Sequence, residues 1–441
     1  MLTGVPLAGA ERRLVSAPVP PLAVTVIGLA LTAGWLLLAV TPEAALTVTG
    51  GPGPGLAALH LLTLGVLGMA VVLVVPQILP VVTMVPAPAL PVLMPVHLGV
   101  AGGAVTLVTG FLSGDSLWMA AGATTVAGGL GLFCLLWARL LWQARHSGMG
   151  DLLLANSLAL LCLLLIAALG VSLSLDYRTG FLSDSPLEHG ALVWAHAILA
   201  VHGLMGLLVM GYSTVLIPML AVAEPQGRRA NRPLILLYAA GVLTAAFSAV
   251  ISADVIGWLG WATALLAVGL FLRGMLTVLK RRLRRSLGPS FWLIRLSWGL
   301  WAAGLLAGAG ARIGWLSPEL AGALLLPGWL LTLLLGILQR IIPFLASMHS
   351  VRCCARPAPL PRFENRRQTA ALSLAHAGAV LLLTAGIALS SPLLIRGAAG
   401  MGLLSGLLLL FFAAGVFTRL LSHRRAVGPR RPRPAPSSPA L

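Results

Sequence analysis

Residues 196–220 read HAILAVHGLMGLLVMGYSTVLIPML. No acidic residue, lysine or arginine interrupts the stretch, and about 20 apolar residues are enough to cross the hydrocarbon core of a bilayer. The Gly and Pro inside it do not veto a membrane helix, because neighbouring helices satisfy the freed backbone groups. Working outward, apolar runs broken by polar or Pro/Gly punctuation give twelve spans. Their approximate limits are 22–40, 56–80, 91–112, 117–142, 152–175, 190–222, 233–252, 255–277, 290–312, 319–346, 369–390 and 397–420. Composition agrees. Of 441 residues, 59% are hydrophobic and only 9% charged, with a mean hydropathy of +0.99. Soluble domains carry about a quarter charged residues, so a soluble protein is excluded. So is a disordered chain, whose composition is the reverse of this one.

The charges test the segmentation. With the N-terminus in the cytoplasm and loops assigned alternately, 26 of the 29 Lys+Arg fall on the cytoplasmic side, and only Arg178, Arg312 and Arg396 fall outside it. The net charge of +18 therefore reads as positive-inside orientation and contact with anionic lipid, not as a nucleic-acid footprint. The organisation expected is an all-α polytopic membrane protein. It has a cytoplasmic segment 1–21, a twelve-helix domain 22–421 and a basic, Pro-rich, disordered tail 422–441 on the cytoplasmic side. One lysine, Lys280, against 28 arginines suggests a GC-rich bacterial genome, hence a bacterial inner membrane. Cysteine carries little: Cys134 and Cys162 lie in apolar runs, Cys353 and Cys354 in a basic loop, and no CxxC occurs.

A repeat is visible at four-helix intervals. Helix 6 carries Gly211-x6-Pro218 and helix 10 carries Gly336-x6-Pro343; helix 2 ends in Pro76-Gln77-Ile78-Leu79-Pro80, with Leu73 at the glycine position. Three four-helix arcs are expected, with helices 2, 6 and 10 lining the interior.

An ionisable residue inside a membrane helix is a functional candidate because its burial is costly. His60 on helix 2 and His196 on helix 6 lie at comparable depth from the outer face. Two facing imidazoles suit a six-coordinate haem iron or copper. His189 lies two turns before His196 on nearly the same face. His202 is about 240° round the helix from His196 and joins its site only through a helix irregularity. His97 on helix 3, Tyr238 on helix 7 and His376 on helix 11 read as a second polar rung tying helix starts to the neighbouring repeat. The plainer reading is that each histidine hydrogen-bonds a carbonyl or water. The outer loops hold seven acids, among them Asp176, Asp184, Glu188, Asp254 and Glu319, which makes that face mildly acidic.

The segments HLLTLGVLGMAVVLVVPQILPVV from His60, the helix 6 stretch from His196 and GWLLTLLLGILQRIIPFLASMH from Gly328 resemble subunit I of the haem–copper oxidase superfamily. They look like its divergent oxidase-like paralogues and are more distantly similar to the NnrS family. The resemblance implies haem b, copper or both, and a role in redox chemistry, nitric oxide stress or metal handling. His60 matches a low-spin haem ligand position, and His196 falls near the helix 6 copper ligand. The outer half of helix 10, ELAGALLLPGWLL, has no histidine, the His pair after helix 7 is missing, and a His-Ala-His motif survives only as His196-Ala197-Ile198. The catalytic ligand set is incomplete, so oxygen or nitric oxide reduction of the usual type is not expected and no enzymatic activity is assigned. The partners expected are the lipid bilayer and a redox partner or another membrane subunit. The alternatives are a secondary transporter, although transporters usually show two six-helix halves, and a cofactor-free assembly subunit.

Overall fold

The computed structural model describes residues 10–227 and 229–429. The stretches 1–9 and 430–441, parts of the segment and tail expected above, lie outside the described residues, as does Arg228. Among the described residues twelve helices are long and apolar enough to cross a membrane, and the chain is a multi-pass membrane protein. They are α1 Val19–Val40, α2 Pro54–Thr83, α3 Leu90–Ser113, α4 Ser116–Ala144, α5 Gly150–Thr179, α6 His189–Ala221, α7 Arg232–Val250, α8 Asp254–Lys280, α9 Pro289–Arg312, α10 Pro318–Cys353, α11 Arg366–Ala388 and α12 Pro392–Val427. The described residues contain no β-strand, only an isolated bridge between Cys354 and Pro429. The helix continues to Val427, so 422–427 belong to α12 and not to an unstructured tail.

Local chemistry ends the helices where they end. The α3–α4 corner turns on Gly114 at φ +69°, and α5 stops at Gly180 at φ +66°, left-handed positions that glycine fills without strain. Asp115 caps α4 by accepting from Leu117 N at 2.8 Å, and Ser317 caps α10 by accepting from Leu320 N at 3.2 Å.

Packing repeats every four helices. α2 packs on α1, α3 and α4; α6 packs on α5, α7 and α8; α10 packs on α9, α11 and α12. α4 meets α5, α8 meets α9, and α12 meets α1, which closes the ring. Outer helices show large apolar side chains to the surroundings, for example Leu98, Val105, Leu135, Leu266, Leu381 and Phe411; none on α2 or α10 is exposed. With lipid as the solvent, that is the pattern of an outer ring around inner helices. Within each unit the last two helices approach through glycines. A Cβ on Gly122 of α4 would strike the backbone of Leu107 on α3. Cβ atoms on Gly241 and Gly260 would each come within 2.7 Å of backbone atoms across the α7–α8 contact. Without a hydrophobic drive between helices in lipid, such close backbone approach is what holds them.

The inner helices share a second irregularity. α2, α6 and α10 each widen into an eight-residue π-helical segment, at Leu61–Gly68, Leu199–Gly206 and Leu324–Leu331. The fifth residue is glycine in all three (Gly65, Gly203, Gly328), and a proline (Pro80, Pro218, Pro343) follows 19 residues after each segment begins. In α10 the segment also accommodates Pro327, which has no N–H to donate, and Thr332 Oγ1 donates to its carbonyl at 3.0 Å. The π segment of α10 touches those of α2 and α6, so the three widened turns meet in the middle of the molecule. Such π segments are rare and concentrate at functional sites.

Candidate functional site

Two places gather the histidines. The first lies among α2, α3, α5 and α6. His60 is the last α-helical residue before the π segment of α2, and its Nδ1 donates to Leu56 O at 2.9 Å. That bond fixes the tautomer and leaves Nε2 as the lone-pair nitrogen. Phe111 of α3 packs against the imidazole with centroids 4.9 Å apart. His196 stands one turn before the π segment of α6, beside Gly170 and Ile166 of α5. A Cβ at Gly170 would come within 3.2 Å of its Cε1, so glycine there makes room for the ring. Among the described residues His196 Nδ1 is buried with no hydrogen-bond partner. The two imidazoles lie within electrostatic range of each other, and both residues remain half-buried rather than sealed. His60 and His196 therefore share one region of the structure.

The second place is a cavity of about 690 Å³ between α1 and α2, α6 to α8, and α9 to α11. It reaches the end of the bundle away from the basic loops, where Thr49, Asp254, Arg312 and Glu319 line its mouth. His202 lines it deep inside, within the π segment of α6. Tyr238 of α7 stands behind His202, with Oη 3.5 Å from Nδ1. Trp261 meets the imidazole edge-on at 5.3 Å, and Trp329 lies nearly parallel to it at 6.0 Å. Trp329 in turn stacks on Trp301 at 4.2 Å with the planes 7° apart. The π segment does not turn His202 to the side of His196: one lines the central cavity, and the other faces α5 and His60.

The remaining candidates separate. His189 is tied to the α5–α6 corner, where Nδ1 donates to Asp176 Oδ2 at 2.7 Å and Tyr177 packs edge-on at 4.9 Å. His376 Nε2 is 2.8 Å from Thr332 Oγ1 on α10. His97 Nδ1 donates to Leu93 O of its own helix at 2.8 Å. Tyr238 and His376 thus each reach the preceding helix of their own four-helix unit, and Tyr238 also meets Trp301 of α9, in the neighbouring unit, edge-on at 5.9 Å. Among the described residues no three His, Cys, Asp or Glu side chains converge as a metal cluster.

Sequence reading missed the tryptophans gathered around His202. They come from α8, α9 and α10, and only the fold brings them together. Two signals did exist for the π segments: Gly65-x-x-Gly68 and Gly203-x-x-Gly206 mark the same turn of α2 and α6. Compared with known proteins, the chain matches no protein-family model and no curated protein.

Proposed function

We propose that this chain is a bacterial inner-membrane protein of the haem–copper oxidase subunit I type, with both termini cytoplasmic, that binds a haem iron or a copper ion through His60 and His196. The observation that carries the reading is the placing of these two imidazoles within electrostatic range of each other, on helices in equivalent places of the repeat. The donor set fits. His60 has its Nδ1 engaged by a backbone carbonyl, the arrangement that orients a ligating histidine, and His196 keeps a buried Nδ1 that no described residue satisfies. Two imidazoles complete an iron whose other four ligands are porphyrin nitrogens, and imidazole also suits copper. Either metal would supply one-electron redox chemistry, consistent with a role in redox or nitric oxide stress or in metal handling. The protein's part is to hold two neutral imidazoles on separate helices, with Phe111 and the α5 backbone limiting water around them. The first half of α10 offers no histidine, so a complete binuclear oxidase centre is not part of the proposal.

The test is the optical spectrum and metal content of the purified protein beside His60→Ala and His196→Ala. About one haem or one copper per chain in the wild type, lost in both variants, supports the reading. A Soret band identifies haem; copper without it identifies the ion. Unchanged content in both variants, or none in the wild type, overturns it and leaves two core histidines. A secondary transporter is the second reading, favoured by the central cavity that opens at one end of the bundle.

A further inference from the structure

The central cavity is a different place from the His60–His196 pair, neither of which lines it. Its volume falls within the range of small-molecule sites, about 300–1,000 Å³, and its walls are mostly apolar. Three features restrict what fits. First, the aromatic walls are held fixed. Trp261 Nε1 donates to Leu305 O at 2.9 Å, which pins the indole against His202, and Trp194 lines the cavity near its mouth. Second, the mouth carries a carboxylate with no cationic partner among the described residues. Glu319 Oε1 accepts only from Thr49 Oγ1, at 2.7 Å. Third, the one cation lining the mouth among the described residues is already neutralised, because Arg312 Nη2 donates to Asp254 Oδ1 at 2.7 Å. The mouth is left with one net negative charge above an apolar, tryptophan-walled chamber.

We propose that this cavity binds a lipophilic organic cation, entering from the end away from the basic loops, with its apolar rings against Trp194 and Trp261 and its charge drawn by Glu319. The quadrupole of an indole attracts a cation over its face, and a half-buried carboxylate acts through a medium of lower dielectric than water. An anion of the same shape meets the opposite field at the same mouth. A neutral apolar molecule gains the walls but not the charge.

The test compares two ions of matched shape and opposite charge, tetraphenylphosphonium and tetraphenylborate, by equilibrium dialysis against the detergent-purified full chain. Protein-free micelles serve as the blank, and each variant is first shown to be monodisperse. The expected result is saturable retention of one phosphonium per chain, at least about tenfold tighter than the borate. Glu319→Gln weakens the phosphonium about five- to tenfold; Trp261→Leu also weakens it. His60→Ala binds it like the wild type, so failure of the metal reading leaves this site standing and the reverse also holds. No retention above the micelle blank, equal retention of the two ions, or wild-type binding in both Glu319→Gln and Trp261→Leu overturns the proposal.

Discussion

Trp329 is the middle ring of a three-ring stack, 4.2 Å from Trp301 on one side and 6.0 Å from His202 on the other, and it has no exposed surface. Its Nε1 makes no hydrogen bond, so Trp329→Ala removes only packing. Vacating roughly 140 Å³ at ~24 cal/mol per Å³ costs about 3 kcal/mol if the neighbours do not collapse into the space. The lost stack with Trp301 adds about 1 kcal/mol beyond area. The energy in question is dispersion and void, not water exclusion, so it persists in lipid, where the hydrophobic drive between helices is absent. The assay is equilibrium unfolding in mixed micelles, followed by circular dichroism, for Trp301→Ala, Trp329→Ala and the double variant. The expected outcome is about 3–4 kcal/mol for Trp329→Ala and a coupling of about 1 kcal/mol in the cycle. A cost below about 1 kcal/mol, or additivity within about 0.3 kcal/mol, would refute the claim that these rings form one packed unit.

Three further outcomes follow from the same account. Reporter fusions at Arg145, Ser183 and Pro225 should read cytoplasmic, external and cytoplasmic, because 26 of 29 basic residues fall on one side of a twelve-span chain; any other order breaks the topology. Gly122→Val should lower the midpoint of thermal unfolding by several degrees, because its Cβ meets the backbone of Leu107 and α3 must separate from α4; an unchanged midpoint contradicts the close approach. In maleimide labelling at pH 8, Cys353 should react well before Cys354. Cys354 has almost no exposed surface while Cys353 keeps some, and burial, then the neighbouring Cys353, raise the Cys354 thiol against the opposing pull of Arg424, so less of it is the reactive thiolate. Mass mapping that finds Cys354 modified first refutes this.

The spans were legible because hydropathy is a property of each residue and lipid reads it locally. The expected 56–80 is Pro54–Thr83, and 319–346 lies within Pro318–Cys353. The largest shortfall, 397–420 against Pro392–Val427, comes from letting Arg396, Arg424 and Arg425 end the run. Long arginines reach the interface from within a helix. The prolines of α2, α6 and α10 were legible as a repeat, and the structure adds the glycine at the fifth residue of each π segment. The π segments themselves were not read, because a hydrophobic scan is blind to an extra residue in a turn, although the glycine pairs Gly65–Gly68 and Gly203–Gly206 marked two of them. The regular 100° per residue correctly kept His202 apart from His196, but it gave no hint that His202 faces tryptophans. Those rings are contributed by helices far apart in the chain, and no local pattern announces them. The reach of Tyr238, to His202 and to Trp301, and of His376, to Thr332, likewise depends on which helices touch, which sequence spacing does not specify.

The most direct test of the central claim is electron paramagnetic resonance of the purified chain loaded with one equivalent of copper(II), beside the same measurement on His60→Ala and His196→Ala. Two imidazoles that share one ion give superhyperfine structure from two nitrogens, and each variant should drop to one nitrogen or lose the ion. A wild-type spectrum without histidine nitrogen, or variants whose spectra match the wild type, would show that His60 and His196 do not form a site.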